Sequence, residues 1–121
     1  DGTLAGGWLF DRKKETTHYL FIWGKAKKKY FSCEDIISLD CILIKRERLI
    51  DYLLEIGLSE ERIGAISSEI RKRGKAGKQE DFIFEGNYFY YSMQLAERPV
   101  NIVMRKENLR KIAVKEFSVV A

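Results

Sequence analysis

The chain has 121 residues, of which 45% are hydrophobic, and its formal net charge is +4. This length fits one globular domain, and the mild basicity is compatible with weak attraction to polyanions without requiring it. No apolar run approaches the roughly 20 residues that a transmembrane helix needs, so we expect no membrane contact and a cytoplasmic protein. The two cysteines, Cys33 and Cys41, lack a CxxC spacing and a neighbouring histidine, which argues against a zinc site and for reduced thiols.

The N-terminal segment is rich in glycine and begins without methionine. We therefore expect a single domain, residues 1–121, that is a fragment of a longer protein or a processed chain. Trp8–Phe10 is predicted to be a short strand, followed by a polar turn at Asp11–Thr16 and a second strand at Thr17–Lys25. Together these elements predict an antiparallel hairpin with a charged loop.

A basic run follows this second strand directly. Residues 18–23 are apolar and aromatic, which is typical of a buried strand, and lysines dominate the next positions. Because lysine ammonium groups are costly to bury without a partner, the strand should reach solvent at a cationic rim. The pattern predicts a phosphate-facing surface made by Lys25, Lys27, Lys28 and Lys29.

A pair of helices is predicted in the middle of the chain. After a strand at Leu39–Ile44, a helix at Arg46–Ile56 is expected to end at Gly57. Ser59 is the predicted N-cap of a second helix, because two glutamates follow it and isoleucines then recur at spacings of three and four. Cys41 lies within the strand and is expected to be a small core residue.

A second basic cluster follows the second helix. Gly74 and Gly77 interrupt it, which predicts a flexible loop. Two interpretations stay open: a solvated helix end, where cations complement the helix dipole, or a phosphate contact. The basic residues of this cluster are Arg71, Lys72, Arg73, Lys75 and Lys78.

The remaining elements complete the predicted fold. Phe82–Phe84 and Tyr88–Tyr91 form a hairpin, and Val100–Met104, Lys106–Ala113 and Glu116–Val120 follow as strand, helix and strand. We predict an α+β fold with a mixed or antiparallel sheet of about five to six strands and two to three flanking helices. Alternation among the tyrosines indicates that some face outward, where they could stack on nucleic-acid bases.

Catalytic motifs are sparse. His18 is the sole histidine, and its position at the start of a strand fits a structural role at least as well as a catalytic one. Asp11-Arg12-Lys13 matches the (D/E)xK element of metal-dependent nucleases, in which carboxylates hold Mg²⁺ and the lysine positions water. We prefer a charged loop to a catalytic role for Asp11 and Lys13, because only Asp1 lies upstream as a further acidic ligand.

Three segments, 7–11, 16–23 and 96–103, resemble the C-terminal part of proteins from bacterial mobile elements and phages. Those proteins are similar to the PD-(D/E)XK, restriction-endonuclease-like superfamily, and the resemblance covers about half of the chain. In such proteins the acidic residue and the ExK strand would precede a segment like Gly7-Trp8. The resemblance therefore implies a sheet, flanking helices and a basic DNA-facing surface, with the active site absent or upstream. It transfers no catalytic residue to this chain.

Two classes of function remain. The first is a nuclease-like, nucleic-acid-associated protein or fragment whose two basic clusters contact phosphates without sequence specificity, and whose enzymatic activity, if present, would depend on Mg²⁺. The second is a small protein-interaction module without enzymatic activity, which would dock a protein partner or a second copy through Tyr88–Tyr91 or the helical pair.

Overall fold

The computed structural model of the protein describes residues 7–11, 13, 15–29 and 33–120. Within them, all strand pairs are antiparallel and helices separate the strand groups, so the predicted α+β fold is confirmed. The elements in chain order are α1 (Gly7–Phe10), β1 (His18–Ala26), a 3₁₀ turn (Cys33–Asp35), β2 (Ile36–Lys45), α2 (Arg46–Glu55), α3 (Glu60–Arg73), β3 (Gly77–Phe84), β4 (Asn87–Tyr91), β5 (Val100–Val103), α4 (Lys106–Lys111) and β6 (Lys115–Val120).

The strands form two separate three-stranded sheets, each within its own compact unit. The β1-β2-β6 unit comprises Thr16–Leu49 and Glu107–Ala121, and the β3-β4-β5 unit comprises Asp1–Glu15 and Ile50–Lys106. The expectation of a single domain stays a prediction. No helix in the described part of the chain is long and apolar enough to cross a membrane.

The prediction of a first strand at Trp8–Phe10 is wrong, because Gly7–Phe10 is a single turn of helix. A run of three apolar residues does not distinguish helix from strand by periodicity. The strand predicted at Thr17–Lys25 exists as β1, but its partner is β2 and no hairpin forms with the preceding segment. β2 offers ten residues for pairing along the whole of β1, far more than a three-residue strand could provide.

Local signals fixed the helical pair as predicted. α2 ends at Glu55, and Gly57, the residue after its C-cap, has φ +89°. Leu58 N donates to Leu53 O at 2.7 Å, and Gly57 N donates to Leu54 O at 3.0 Å. This is a Schellman motif, which satisfies the last carbonyls of the helix. Ser59 is the N-cap of α3, and its side chain accepts from Arg62 N at 3.1 Å.

The core of the β3-β4-β5 unit lies on one face of its sheet. Alternate residues of β4, Asn87, Phe89 and Tyr91, are buried, and the rings of Phe82 and Phe84 meet Phe89 edge to face at 6.3 and 6.1 Å. α3 contacts β5 and carries the buried residues Ile66 and Ile70. The amphipathic face of α3 and the packed face of the β3-β4-β5 sheet thus form one core. The buried residues of this unit are Tyr52, Leu53, Leu58, Ile66, Ile70, Gln79, Asn87, Phe89, Tyr91 and Ser92.

A polar network holds the β3-β4 hairpin turn. Glu85 and Gly86 have φ +52° and +83°, the signs that a two-residue type I′ turn requires. The buried Asn87 side chain donates to Tyr52 Oη at 2.9 Å and accepts from Arg105 N at 2.8 Å. Tyr52 Oη in turn donates to Glu85 Oε2 at 3.1 Å, so the turn is bonded to α2 and to the segment after β5.

Candidate nucleic-acid interface

The first predicted basic run lies at the end of β1. Lys25 pairs with Ser38 of β2, and Lys27, Lys28 and Lys29 form the bend that follows. Lys27 N donates to Asp35 O at 2.9 Å, which fixes the backbone of the bend. All four lysines are exposed, so the predicted emergence of the strand into solvent is confirmed.

One of these lysines has an acidic neighbour. Lys28 Nζ lies 3.7 Å from Asp35 Oδ1, and the lysine side chain is 68% exposed. At 3.7 Å and with the lysine largely in water, this contact contributes little free energy, because water and salt screen the ammonium group. Lys28 therefore keeps its capacity to bind an outside anion.

The arginines of the second cluster bind the protein itself. Arg73 pairs with Asp81 at 2.8 Å and with Glu69 at 3.2 Å, and its guanidinium lies 5.0 Å from the centre of the Phe82 ring. The hydrogen bonds that the guanidinium donates to Asp81 and then to Glu69 raise the pKa of Arg73 above its ordinary value. The sequence left a phosphate contact open for this cluster, but the guanidinium of Arg73 already binds two carboxylates.

Arg71 is also used within the unit. Its Nη1 donates to Arg98 O at 3.0 Å, and its guanidinium lies 6.0 Å from the centre of the Tyr91 ring. Arg98 has φ +46° and lies in the β4–β5 connection, which Ser92 N closes by donating to Pro99 O at 3.0 Å. Arg71 thus ties the end of α3 to this connection.

The lysines of the second cluster are exposed, but the predicted flexible loop is wrong in extent. Gly74 is the C-cap of α3 with φ +70°, and β3 begins at Gly77, so only residues 75 and 76 connect the two elements. The buried Gln79 side chain donates to Lys75 O at 2.7 Å and to Gly77 O at 3.0 Å, which holds this connection in place. The exposed lysines are Lys72, Lys75 and Lys78.

Lys78 belongs to an open face of the β3-β4-β5 sheet, on the side opposite the core. Directly paired residues in antiparallel strands point to the same side. One row across the sheet is Lys78, Tyr90 and Asn101, and the next is Ile83, Tyr88 and Val103. Lys78 Nζ lies 4.7 Å from the centre of the Tyr88 ring. We call this surface the tyrosine face; its signal in the sequence was the alternation of Tyr88 and Tyr90 with the buried Phe89 and Tyr91.

The β1-β2-β6 sheet has a different open face. Its packed face contains Ile42 and Ile44, both fully buried, and the stacked rings of Phe21 and Trp23, 6.4 Å apart. On the other side, register places Leu20 beside Leu43, Ile22 and Phe117 on either side of Cys41, and Val119 beside Leu39. Ile22 is 53% exposed and Val119 is 49% exposed. We call this surface the apolar face; Cys41 is buried within it, as its apolar neighbours predicted.

Charge is divided unequally between the two units. Acidic and basic residues are equal in number in the β3-β4-β5 unit, so the whole net charge of +4 falls on the β1-β2-β6 unit. Lysines 25, 27, 28 and 29 are the densest cationic group of that unit. An anionic polymer should therefore meet this unit first.

The residues considered for catalysis do not assemble into a recognisable centre. Asp11 follows a helix turn instead of the strand that a (D/E)xK element requires, Lys13 N donates to Asp11 Oδ1 at 3.0 Å, and Arg12 lies outside the described residues. His18 is exposed on β1, with its Nδ1 2.9 Å from Thr17 Oγ1. Among the described residues no group of three or more His, Cys, Asp or Glu side chains is placed to hold a metal ion. The expected Mg²⁺ stays a prediction.

No protein-family profile, curated protein or solved structure matches this chain. The resemblance to the PD-(D/E)XK superfamily accordingly stays an expectation from the sequence. The geometry of the two open faces and the exposed lysines must carry any functional argument.

Proposed function

We propose that the chain binds nucleic acid without sequence specificity, through phosphate contacts of Lys25, Lys27, Lys28 and Lys29. One observation carries the proposal: the entire net charge of +4 falls on the β1-β2-β6 unit, where these four lysines are exposed next to one another. Lys72, Lys75 and Lys78 add exposed cations in the other unit. The proposal is for binding, and it assigns no cleavage step to this chain.

The physical reason is the cost of crowding like charges. Neighbouring ammonium groups repel one another, and the contact of Lys28 with Asp35 is 3.7 Å long and leaves the lysine exposed. A phosphate backbone supplies one negative charge per nucleotide and releases condensed counterions when lysines replace them. For duplex DNA, each neutralised phosphate contributes about −0.9 to the slope of log K against log salt concentration.

The test is a charge reversal of the bend. Lys27→Glu, Lys28→Glu and Lys29→Glu together should abolish binding to labelled DNA at physiological salt and should lower the salt slope by about three. Fluorescence anisotropy across a salt series measures both quantities. Circular dichroism checks that the triple variant still folds.

A second triple variant supplies the matched control. Arg48→Glu, Arg110→Glu and Lys111→Glu change the net charge by the same amount, and all three side chains are exposed in the same unit. This control should keep most of the affinity. Equal losses in both triple variants, or no binding by the unmodified chain even at low salt, would contradict the proposal.

The apolar face supports a second candidate function, self-association. Its rows Ile22-Cys41-Phe117 and Gly24-Leu39-Val119 carry no charge, and its basic residues, His18, Lys45 and Lys115, lie in the two rows at one end. Two copies stacked face to face with antiparallel strands would place these cations at opposite ends of the dimer, so they would not repel each other. A second copy of the chain could therefore cover this face without bringing like charges together.

The size of the face limits how strong such a dimer can be. Three strands about 4.8 Å apart, each contributing about six residues, give a patch of about 15 by 20 Å. Such a patch covers about 300 Å², well below the about 800 Å² on each partner that a standard stable interface covers, so the dimer would be weak. We therefore favour nucleic-acid binding as the main function and a weak dimer as the form in which it acts.

A further inference from the structure

We infer that the tyrosine face is a binding site for unpaired bases, which makes single-stranded nucleic acid the preferred ligand. This inference rests on the proposed function for the class of ligand, but it uses other residues in the other unit. The site consists of Tyr88 and Tyr90 as stacking platforms, Lys78 as a cation beside them and Asn101 at the edge.

The position of the two rings is the first argument. Tyr88 and Tyr90 point away from the core that Phe89 and Tyr91 occupy, and both are half-buried at the sheet surface. The fold therefore does not use them as its main apolar contacts. Aromatic rings on an open sheet surface are platforms on which bases stack regardless of their identity.

Their spacing is the second argument. Two residues apart on one strand corresponds to about 7 Å, at roughly 3.4 Å per residue. Planar groups in contact lie about 3.5–4 Å apart, so the Tyr90 ring and the face of the Tyr88 ring that Lys78 does not cover each have room for a base. Two successive nucleotides of an extended strand fit this arrangement. Paired bases stack on each other inside a duplex and cannot offer their faces to the rings.

The polar neighbours supply the rest of a binding site. Lys78 pairs with Tyr90 across the sheet and lies over the ring of Tyr88, so its ammonium group is close to where a linking phosphate would pass. Asn101 flanks Tyr90 on β5 and is exposed, and its amide can donate to and accept from a base edge. Ile83 and Val103 flank Tyr88 with apolar surface.

The experiment compares single-stranded and duplex ligands with surface variants. The probes are a fluorescein-labelled ten-nucleotide poly(dT) strand, its RNA counterpart and a DNA hairpin duplex. We expect tighter binding of the single strands, and Tyr88→Thr or Tyr90→Thr should each weaken that binding by about 10-fold, which is the size of one lost stacking contact. Duplex binding should change by less than about twofold in these variants, because it depends on phosphate contacts alone.

Two controls separate stacking from folding. Tyr88→Phe keeps the ring and should retain the affinity for single strands, whereas Leu95→Thr changes an exposed apolar residue of the same unit outside the tyrosine face and should also retain it. Threonine keeps strand propensity, so the variants should melt close to the unmodified protein.

The outcomes distinguish the two proposals. If single strands and duplex bind equally well and the tyrosine variants bind like the unmodified chain, the base-stacking site is wrong while the lysine proposal stands. If the lysine charge reversal leaves single-strand binding intact and the tyrosine variants abolish it, the base-stacking site is right and the lysine proposal fails. If no probe binds at low salt, both are wrong.

Discussion

The two sheets of this protein are alike in architecture and opposite in what they present. Each has three antiparallel strands, one packed face and one open face. The open face of the β1-β2-β6 sheet is apolar apart from its basic end, whereas that of the β3-β4-β5 sheet combines tyrosines with a lysine and an asparagine. In both sheets every second residue of a strand faces the core. The residue types at the positions in between therefore decide what each open face can bind.

Charge follows the opposite distribution. The unit with the apolar face carries the net charge of +4, and the unit with the tyrosine face is neutral. Under the two proposals, the lysines of one unit would act on a nucleic acid by long-range electrostatics, and the tyrosine face of the other unit would act by short-range stacking. Salt should weaken the first contribution much more than the second.

The largest effect is expected for a charge placed on the apolar face. If two copies stack through this face, Ile22→Lys buries an unpaired ammonium group in the interface and should shift the chain fully to monomer. Sedimentation velocity from low to several hundred micromolar protein measures the oligomeric state of both forms.

Val103→Lys is the matched control for this prediction. Val103 is likewise an exposed apolar residue on an open sheet face, but in the other unit. It should leave the dimer unchanged. A monomeric unmodified chain at the highest concentration, or equal dissociation of both variants, would show that the apolar face does not pair with itself.

The next effect concerns the β3-β4 turn. Gly86 has φ +83°, and a Cβ placed on it would collide with Cδ of Arg105. Gly86→Ala should therefore lower the free energy of unfolding by about 1–2 kcal/mol from the backbone conformation alone, measured by urea denaturation. Gly86→Ala should also weaken the binding of single strands, because the turn leads directly into Tyr88.

Gly64→Ala introduces the same side chain at a position that has neither a positive φ nor a colliding neighbour. Gly64 lies in α3, and no heavy atom beyond the helix's own backbone lies within 4 Å of the added Cβ. Alanine there should raise stability by about 0.5–1 kcal/mol. A stabilising Gly86→Ala variant would mean that the turn does not hold its left-handed conformation in solution.

Elements with local signals could be predicted from the sequence, and long-range choices could not. Gly57 and Ser59 mark the ends of the helices through their own backbone groups, and the residues involved are neighbours in the chain. In contrast, β2 takes β6 as its second partner, so that Ser118 Oγ donates to Asp40 Oδ1 at 2.8 Å across 78 positions. The periodicity of the sequence does not indicate the pairing of β2 with β6, and the division of the strands into two sheets depends on that pairing.

The candidate site shows the same limit. The lysine run was predictable because charge density forces exposure, and it is exposed. The role of Arg73 was not, since Asp81 and Phe82 approach it only after α3 and β3 have packed. The alternation of the tyrosines indicated an outward face, but only the pairing of β3 with β4 places Lys78 beside them.

The smallest effect is a pH dependence that belongs to the β3-β4-β5 unit alone. Burial is the main cause that raises the pKa of Tyr52, and the hydrogen bond to Glu85 raises it further against the opposing effect of Asn87. The folded protein therefore holds this proton more tightly than the unfolded chain does. The resulting stability is fully present below the ordinary tyrosine pKa of about 10 and is lost as pH rises from there through the raised value.

Tyr52→Phe should cost about 1 kcal/mol at neutral pH, because Asn87 loses an acceptor, and the stability gap to the unmodified chain should narrow in alkali. Urea denaturation at neutral pH and near pH 11 measures this gap, with Tyr90→Phe on the sheet surface as the control. A gap of constant size would mean that the Tyr52 hydroxyl is not shielded by the hairpin turn, and the network that distinguishes this unit from the other would have to be abandoned.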